Sequence, residues 1–394
     1  MVFVTGMGII SAIGKNTNEH LNHLRTGKTG IKKAVFFQSK YSKDVLFGEV
    51  GLSTEDILSI SNLANNKELT RTDALAHKAF GEAVEDARLS SAELSKPYTA
   101  FISAGTVGGM CAHHALYNDA TKTEKSSKHL NAYQFASHTL SIINRYKLKG
   151  FSNTINTACS SSANAIMFGS MLILSGRAQR VIVGGTDALS KYTVNGFNAL
   201  RILSDTPCMP FDKKRKGLTL GEGAAYLVLE NESLAKSKNK YAAVSGFGNS
   251  NDTFHPSSLG EDAQGVIKAM QNALTNSIIS PDNIDYINTH GTATENNDKV
   301  ELLGMTEVFK KLPFYNATKS YTGHTLGAAG AVEAIFSILS LYHNEIYPSL
   351  HCEAPIDPSQ PPVTKYKKGV RLRNALSNSF GFGGNCTSLI FSKI

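Results

Sequence analysis

The chain uses one short phrase twice, and this repetition limits its fold more than any other feature. V-T-G-M-G at positions 4–8 returns as V-S-G-F-G at positions 244–248. Each copy follows a short apolar run, the pattern of a buried strand entering a glycine turn. The elements downstream of each copy repeat as well. The first half predicts a helix over 74–89, a polar loop over 90–97 and a strand over 98–103, ending in Gly105-Thr106. The second predicts a helix over 266–276, a loop over 280–283 and a strand over 284–288, ending in Gly291-Thr292. A third strand and a small-residue helix complete each set, 154–157 with 160–174 and 314–317 with 326–341.

Three matched elements in one order indicate a duplication. Strands alternating with helices imply an α/β protein whose mainly parallel sheet is covered on both faces. The halves divide at 1–240 and 241–394, and their similar helices should pack near a shared pseudo-twofold centre. Val4 and Val244 are 240 positions apart, whereas Gly105 and Gly291 are 186 apart. The first half therefore holds the larger insertions, mostly over 110–149.

Lysine and arginine exceed the acids by 40 to 32, a net charge of +8. The basic residues are not interleaved with aromatics and no nucleic-acid motif is present, so nucleic acid is not an expected partner. The excess serves solubility or a basic face toward an acidic protein. The five cysteines are scattered, with neither CxxC spacing nor a disulfide framework, which points to a reducing compartment. The apolar start lacks a basic leader region and reads as a strand. No stretch is long and apolar enough to span a membrane, and the expected location is the cytoplasm.

Four segments offer chemistry. In Asn156-Thr-Ala-Cys159-Ser-Ser-Ser a strand ends and a helix begins at the cysteine. Free N–H groups and the positive dipole end there should lower the thiol pKa and favour a nucleophile. In Asn288-Thr-His290-Gly-Thr-Ala-Thr a histidine stands just past a strand end, and Ala317-Thr-Lys319-Ser-Tyr-Thr-Gly-His324 repeats that arrangement before a Gly/Ala-rich helix. Active sites of open α/β sheets lie at such strand ends. Asn378-Ser-Phe-Gly-Phe382-Gly-Gly384 is a glycine run able to aim backbone N–H groups into a cavity, as an oxyanion hole requires.

Together these segments resemble the β-ketoacyl synthases I and II of type II fatty acid and polyketide synthesis. The resemblance spans essentially the whole chain and includes Pro210-Phe-Asp-Lys-Lys-Arg-Lys-Gly217 and Gly221-Glu-Gly-Ala-Ala225. It implies the duplicated thiolase-like fold and an acyltransferase that elongates an acyl chain by decarboxylative condensation. Cys159 would take the acyl group, with the N–H groups of Cys159 and Phe382 as oxyanion hole. His290 and His324 would stabilise the malonyl-derived enolate, supported by Lys319 and Glu333. Phe382 would also gate the acyl pocket.

The same resemblance implies no metal and no bound cofactor, phosphopantetheine being carried by an acyl carrier protein partner. It also implies a homodimer, or a heterodimer with a Cys-less chain-length factor. Arg201, Lys67 and Arg71 match the family's carrier-docking positions, while the run Lys213 to Lys216 reads as a solvated loop. Two histidines separate the chain from the initiating synthases, and Cys159 separates it from chain-length factors. Asn385-Cys386 departs from the usual Thr-Asn after the glycine turn, and Cys386 is expected to be buried and structural. The motif wording leans toward polyketide or polyene ketosynthases, which leaves the pathway open beside fatty acid elongation.

Overall fold

The computed structural model describes residues 1–122, 127 and 130–394. Its strands are β1 (Val2–Ser11), β2 (Thr99–Ala104), β3 (Ser152–Ile155), β4 (Arg180–Asp187), β5 (Gly223–Asn231), β6 (Ala242–Asn251), β7 (Tyr286–Asn288), β8 (Phe314–Asn316), β9 (Glu345–Ile346), β10 (Lys367–Lys368), β11 (Asn374–Phe380) and β12 (Asn385–Ser392). Ten of them form one sheet in the order β3-β2-β4-β5-β1-β6-β12-β11-β7-β8, with β9 and β10 as a separate ribbon.

Traced outward from its middle, that sheet is the same object twice: β1-β5-β4-β2-β3 on one side and β6-β12-β11-β7-β8 on the other. The senses match too. β1–β5 and β4–β5 are antiparallel while β2–β4 and β2–β3 are parallel. Across the centre β6–β12 and β11–β12 are antiparallel while β7–β11 and β7–β8 are parallel. The halves meet where Val2 to Val4 pair with Val244 to Ala242.

The sheet is thus mixed, which corrects the expectation of a mainly parallel one. β11 and β12 are joined by the short turn through Gly383 and Gly384, both at φ +83°. A hairpin connection forces antiparallel pairing. The insertion expected over 110–149 contains a 3₁₀ turn at Gly108–Ala112 and helices His113–Lys122 and Ser137–Tyr146; part of it lies outside the described residues.

The repeated phrase has a packing cause. A Cβ on Gly8 would sit 2.1 Å from the Ala79 carbonyl oxygen, and one on Gly248 would sit 2.2 Å from that of Ala269. Only glycine lets the strand approach the helix that closely. Those helices, Arg71–Asp86 and Gln264–Ser277, cover the outer faces of the two halves. Thr70 and Asp73 start the first with a reciprocal capping box.

Helices Ser161–Leu174 and Ala329–His343 form the middle layer, touching each other and strands of both halves. The second is buried from Ala329 through Leu341, the condition that an all-round apolar helix requires. One expectation fails here. Leu326–His343 is long and apolar enough to cross a membrane, but 89% of it is buried inside the protein, so it is a core helix.

Candidate active site

Cys159 stands between β3 and the central helix that begins at Ser161. Ala158 before it holds φ +53°, a left-handed conformation that turns the chain sharply. The cysteine is 5% exposed and lines a cavity of about 260 Å³ together with His290, His324, Phe197 and Phe382. The Phe382 N–H is directed at its thiol, where it lowers the pKa. A Cβ on Gly381 would lie 3.1 Å from Cys159 N, so the glycine run and the Cys159 backbone are in contact. The Phe382 ring stacks on Phe197 at 5.6 Å.

Asn385 explains how the turn is held with its altered residues. Its Oδ1 accepts from Ser160 Oγ and Asn164 Nδ2, each at 2.8 Å, and from Asn249 Nδ2 at 3.1 Å. Cys386 is fully buried in the core on the far side of that turn.

The thiol differs from its sequence expectation. Burial pushes Cys159 up to about 11, against the lowering effects of Lys319 and the Phe382 N–H. Cys159 therefore rests as a thiol, because desolvation disfavours the thiolate.

The histidines have a defined tautomer. Lys319 Nζ lies 3.2 Å from His290 Nδ1, and an ammonium can only donate. The Leu326 N–H donates to His324 Nδ1 at 3.2 Å. In both rings Nδ1 accepts, so Nε2 bears the hydrogen in the neutral form. Burial, with Lys319 second, lowers both well below the ordinary histidine range, so both are neutral. The rings are 5.3 Å apart and nearly perpendicular. One nitrogen of each and the Cys159 sulfur lie within 4.8 Å of one another. Lys319 Nζ also reaches the His290 carbonyl and Glu333 Oε1, each at 2.5 Å. Burial raises Glu333 to about 7.

Sequence reasoning missed three buried carboxylates. Glu301 accepts from the His290 and Gly291 N–H groups, both at 2.8 Å, and burial raises it to about 7. Asp298, one helical turn earlier, accepts from Phe211 N at 2.7 Å and Ala293 N at 3.1 Å. Asp187 holds the loop after β2 and is raised by burial to about 6. Signals existed: Asp298 and Glu301 have the i,i+3 spacing of one helix face, and Asp187 ends a strand.

The expected docking residues divide. Arg201 is exposed, and its neighbour Ile202 lines the cavity. Lys67 is exposed on the rim of a separate groove of about 1230 Å³. Arg71 lines the same groove but is already engaged. Its guanidinium grips Glu222 at 2.6 to 3.0 Å and the Val50 and Leu52 carbonyls, so its charge is spent inside the protein. The basic run is also split: Lys213, Lys214 and Lys216 are exposed, but Arg215 bonds to the Thr294 and Glu295 carbonyls beside Asp298.

With this geometry in place, comparison with known proteins is decisive. Residues 1–235 match the β-ketoacyl synthase N-terminal domain and residues 241–353 its C-terminal domain. The chain belongs to the β-ketoacyl synthase family. As such it is a condensing enzyme of the acyltransferase class with a thiolase-like fold. The synthase is 32% identical to 3-oxoacyl-[acyl-carrier-protein] synthase 2 of Coxiella burnetii, covering 100% of this chain and 98% of that one. It is also 32% identical to 3-oxoacyl-[acyl-carrier-protein] synthase 1 of Haemophilus influenzae, over 99% and 98%. Among solved structures, the ishigamide ketosynthase/chain length factor superposes with a TM-score of 0.91 at 27% identity, covering 100% of this chain and 99% of that one. A Xenorhabdus doucetiae ketosynthase in complex with its chain length factor gives 0.86 at 29%, over 100% and 98%.

Proposed function

We propose that this synthase extends an acyl chain held on Cys159 by two carbons from malonyl-acyl carrier protein, releasing a 3-ketoacyl-acyl carrier protein. The observation that carries this reading is the meeting of one thiol with two neutral Nε2–H donors in a single buried cavity. In acylation the Cys159 sulfur attacks the thioester carbonyl, whose oxygen turns negative toward the Cys159 and Phe382 N–H groups. The carbon–sulfur bond to phosphopantetheine breaks, and the proton lost by Cys159 leaves on the pantetheine thiol.

In the second stage the malonyl carboxylate departs as CO2, and its bonding pair becomes a thioester enolate. The two Nε2–H groups donate to the enolate oxygen. The enolate carbon attacks the acyl carbonyl on Cys159, the carbon–sulfur bond breaks, and one proton taken up restores the thiol. The donor set favours this role over metal ligation. A metal-bound histidine donates through its other ring nitrogen, whereas here Nδ1 of both rings faces a donor.

The partners proposed are an acyl carrier protein, which brings its own phosphopantetheine, and a second ketosynthase-like chain. β3 is an unpaired sheet edge, and Phe151, Leu140 and Met171 are exposed near it, a surface that a partner chain would cover. The partner is a second copy in the fatty acid reading. A Cys-less chain-length factor is the second reading, favoured by the likeness to two ketosynthases solved with such factors. Five free cysteines suit a reducing compartment such as the cytoplasm.

The test separates the steps. Label from an acyl-carrier protein should attach to the wild type and be absent from Cys159→Ala. His290→Ala and His324→Ala should still take the label yet release little CO2 from malonyl-carrier protein. Label appearing on Cys111 or Cys386 in Cys159→Ala would overturn the assignment.

A further inference from the structure

Asp187 ends β4 in the N-terminal half, and neither stage of the condensation uses it. It is fully buried, and among the described residues no cation pairs with it. Backbone and hydroxyl donors surround it instead. Thr106 N–H lies 2.9 and 3.0 Å from its two oxygens, Thr106 Oγ1 2.8 Å away and Val107 N 2.8 Å away. The Gly327 N–H, from the other half, approaches to 2.7 Å.

Gly327 sits in the 3₁₀ turn Leu326–Ala328, whose first residue donates to His324 Nδ1. Leu326 holds φ +52°, unfavourable for a branched side chain, so the turn needs an external hold. The fit there is close: a Cβ on Gly327 would lie 2.8 Å from Asp187 Oδ2 and 2.7 Å from Gly105 Cα.

We infer that Asp187 is a positioning residue for His324: by gripping the Gly327 N–H it fixes the turn whose Leu326 N–H keeps the imidazole in its Nε2–H form. Without that grip, Nδ1 is free to carry the proton, and Nε2 changes from donor to acceptor. The enolate then loses one of its two donors. The same carboxylate holds Val107, which belongs to the apolar cluster of Leu326, Phe197 and Ile202. The cavity wall and the histidine therefore share one anchor across the two halves.

The inference rests on the enolate role of His324, and the experiment is arranged to tell the two apart. The full-length enzyme is assayed separately for acyl label on Cys159 and for CO2 release from malonyl-carrier protein, with ¹⁵N shifts of labelled histidines as a third readout. Asp187→Asn should slow CO2 release by about 10- to 100-fold, less than deleting a donor outright, and leave acylation within about twofold. The His324 ¹⁵N shifts should move away from the pattern of an Nδ1 acceptor. Thr106→Val removes one bond to the carboxylate and should show a smaller loss in the same step; it decides the matter if Asp187→Asn does not fold. Equal losses in both steps, or unchanged CO2 release in the variant that folds, would overturn the inference. His324→Ala is the control. If it released CO2 at the wild-type rate the enolate reading itself would fall, whereas a slow His324→Ala beside a normal Asp187→Asn sinks only the positioning role.

Discussion

The two halves of this synthase share a strand order and a pairing pattern, yet they put different chemistry at equivalent strand ends. After β3 the chain presents Cys159, and after β8 it presents Lys319 and His324. After β2 it presents Thr106 and Val107, and after β7 His290 and Gly291. In both halves the loop after that second strand is pinned by a buried carboxylate accepting two consecutive N–H groups, Asp187 in one and Glu301 in the other. The duplicated frame thus supplies loop geometry, and the residue placed on each loop supplies function. In the proposed mechanism the nucleophile would come from one copy and the enolate donors from the other, which would confine the reaction to their junction.

The strongest way to break the comparison is to remove the cation that the C-terminal half places beside its histidines. Lys319→Ala deletes the donor to His290 and leaves Glu333 buried without its partner. Breaking a buried pair on one side costs about 3–5 kcal/mol. The variant should show a clear fall in denaturation midpoint and a loss of CO2 release of about 100-fold or more. Lys319→Ala combined with Glu333→Ala should regain stability without regaining activity. Activity recovering alongside stability would show that Lys319 only balances a charge.

A gentler test loosens one of the two matched carboxylates. Glu301→Gln keeps the shape but replaces one acceptor with a donor facing an N–H group. CO2 release should fall by about tenfold while acylation of Cys159 persists, because only the histidine loop is touched. An equal fall in acylation would mean that the halves are not separable in this way.

These carboxylates also fix a pH dependence. Burial raises Glu301 from 4.5 to about 7, so the folded state binds its proton more tightly than the unfolded chain does. That contribution is fully present below about 4.5 and is lost as pH rises through about 7. The buried, neutral His290 and His324 act with the opposite sign, since their lowered values add stability as pH rises, so Glu301 is read from a difference between two proteins. The wild-type thermal midpoint should decline relative to that of Glu301→Gln across the window, and a wild-type midpoint that rose relative to the variant would contradict the assignment of Glu301 as a buried, raised acid.

Much of this was legible in the sequence, and the boundary of legibility is physical. The duplication was visible because close strand–helix approach at Gly8 and Gly248 admits no other residue. Cys159, His290, Lys319 and His324 were visible because each lies at a strand end within a recognisable phrase. The thiol's state was not, since helix position is local while desolvation depends on what folds over it. Arg71 illustrates the same limit: its charge is plain in the sequence, but Glu222 lies 151 positions away. The mixed sheet was missed because strand polarity depends on connections between strands, which periodicity does not record.

The smallest expected effect concerns a charge that, unlike Arg71, remains free. Lys67 and Arg201 are exposed, both from the N-terminal half, and Arg201 adjoins the cavity lining at Ile202. An acidic carrier protein approaching Cys159 would meet Arg201 beside the cavity, and one that also spans the separate groove would meet Lys67; rim charges mainly speed encounter and set specificity. Lys67→Glu or Arg201→Glu should raise KM for the carrier-bound acyl group by a few-fold, roughly 1 kcal/mol or less. Turnover of the same acyl group on a short pantetheine mimic should hold steady, because no carrier docks. Added salt should weaken the wild type more than either variant, since screening removes an attraction that the variants already lack. Arg71→Glu supplies the contrast: it should cost stability, through repulsion with Glu222, before it changes carrier affinity. If Arg201→Glu left KM at the wild-type value in low salt, that rim would not be where the carrier binds, and the exposed lysines at 213, 214 and 216 would be the next surface to reverse.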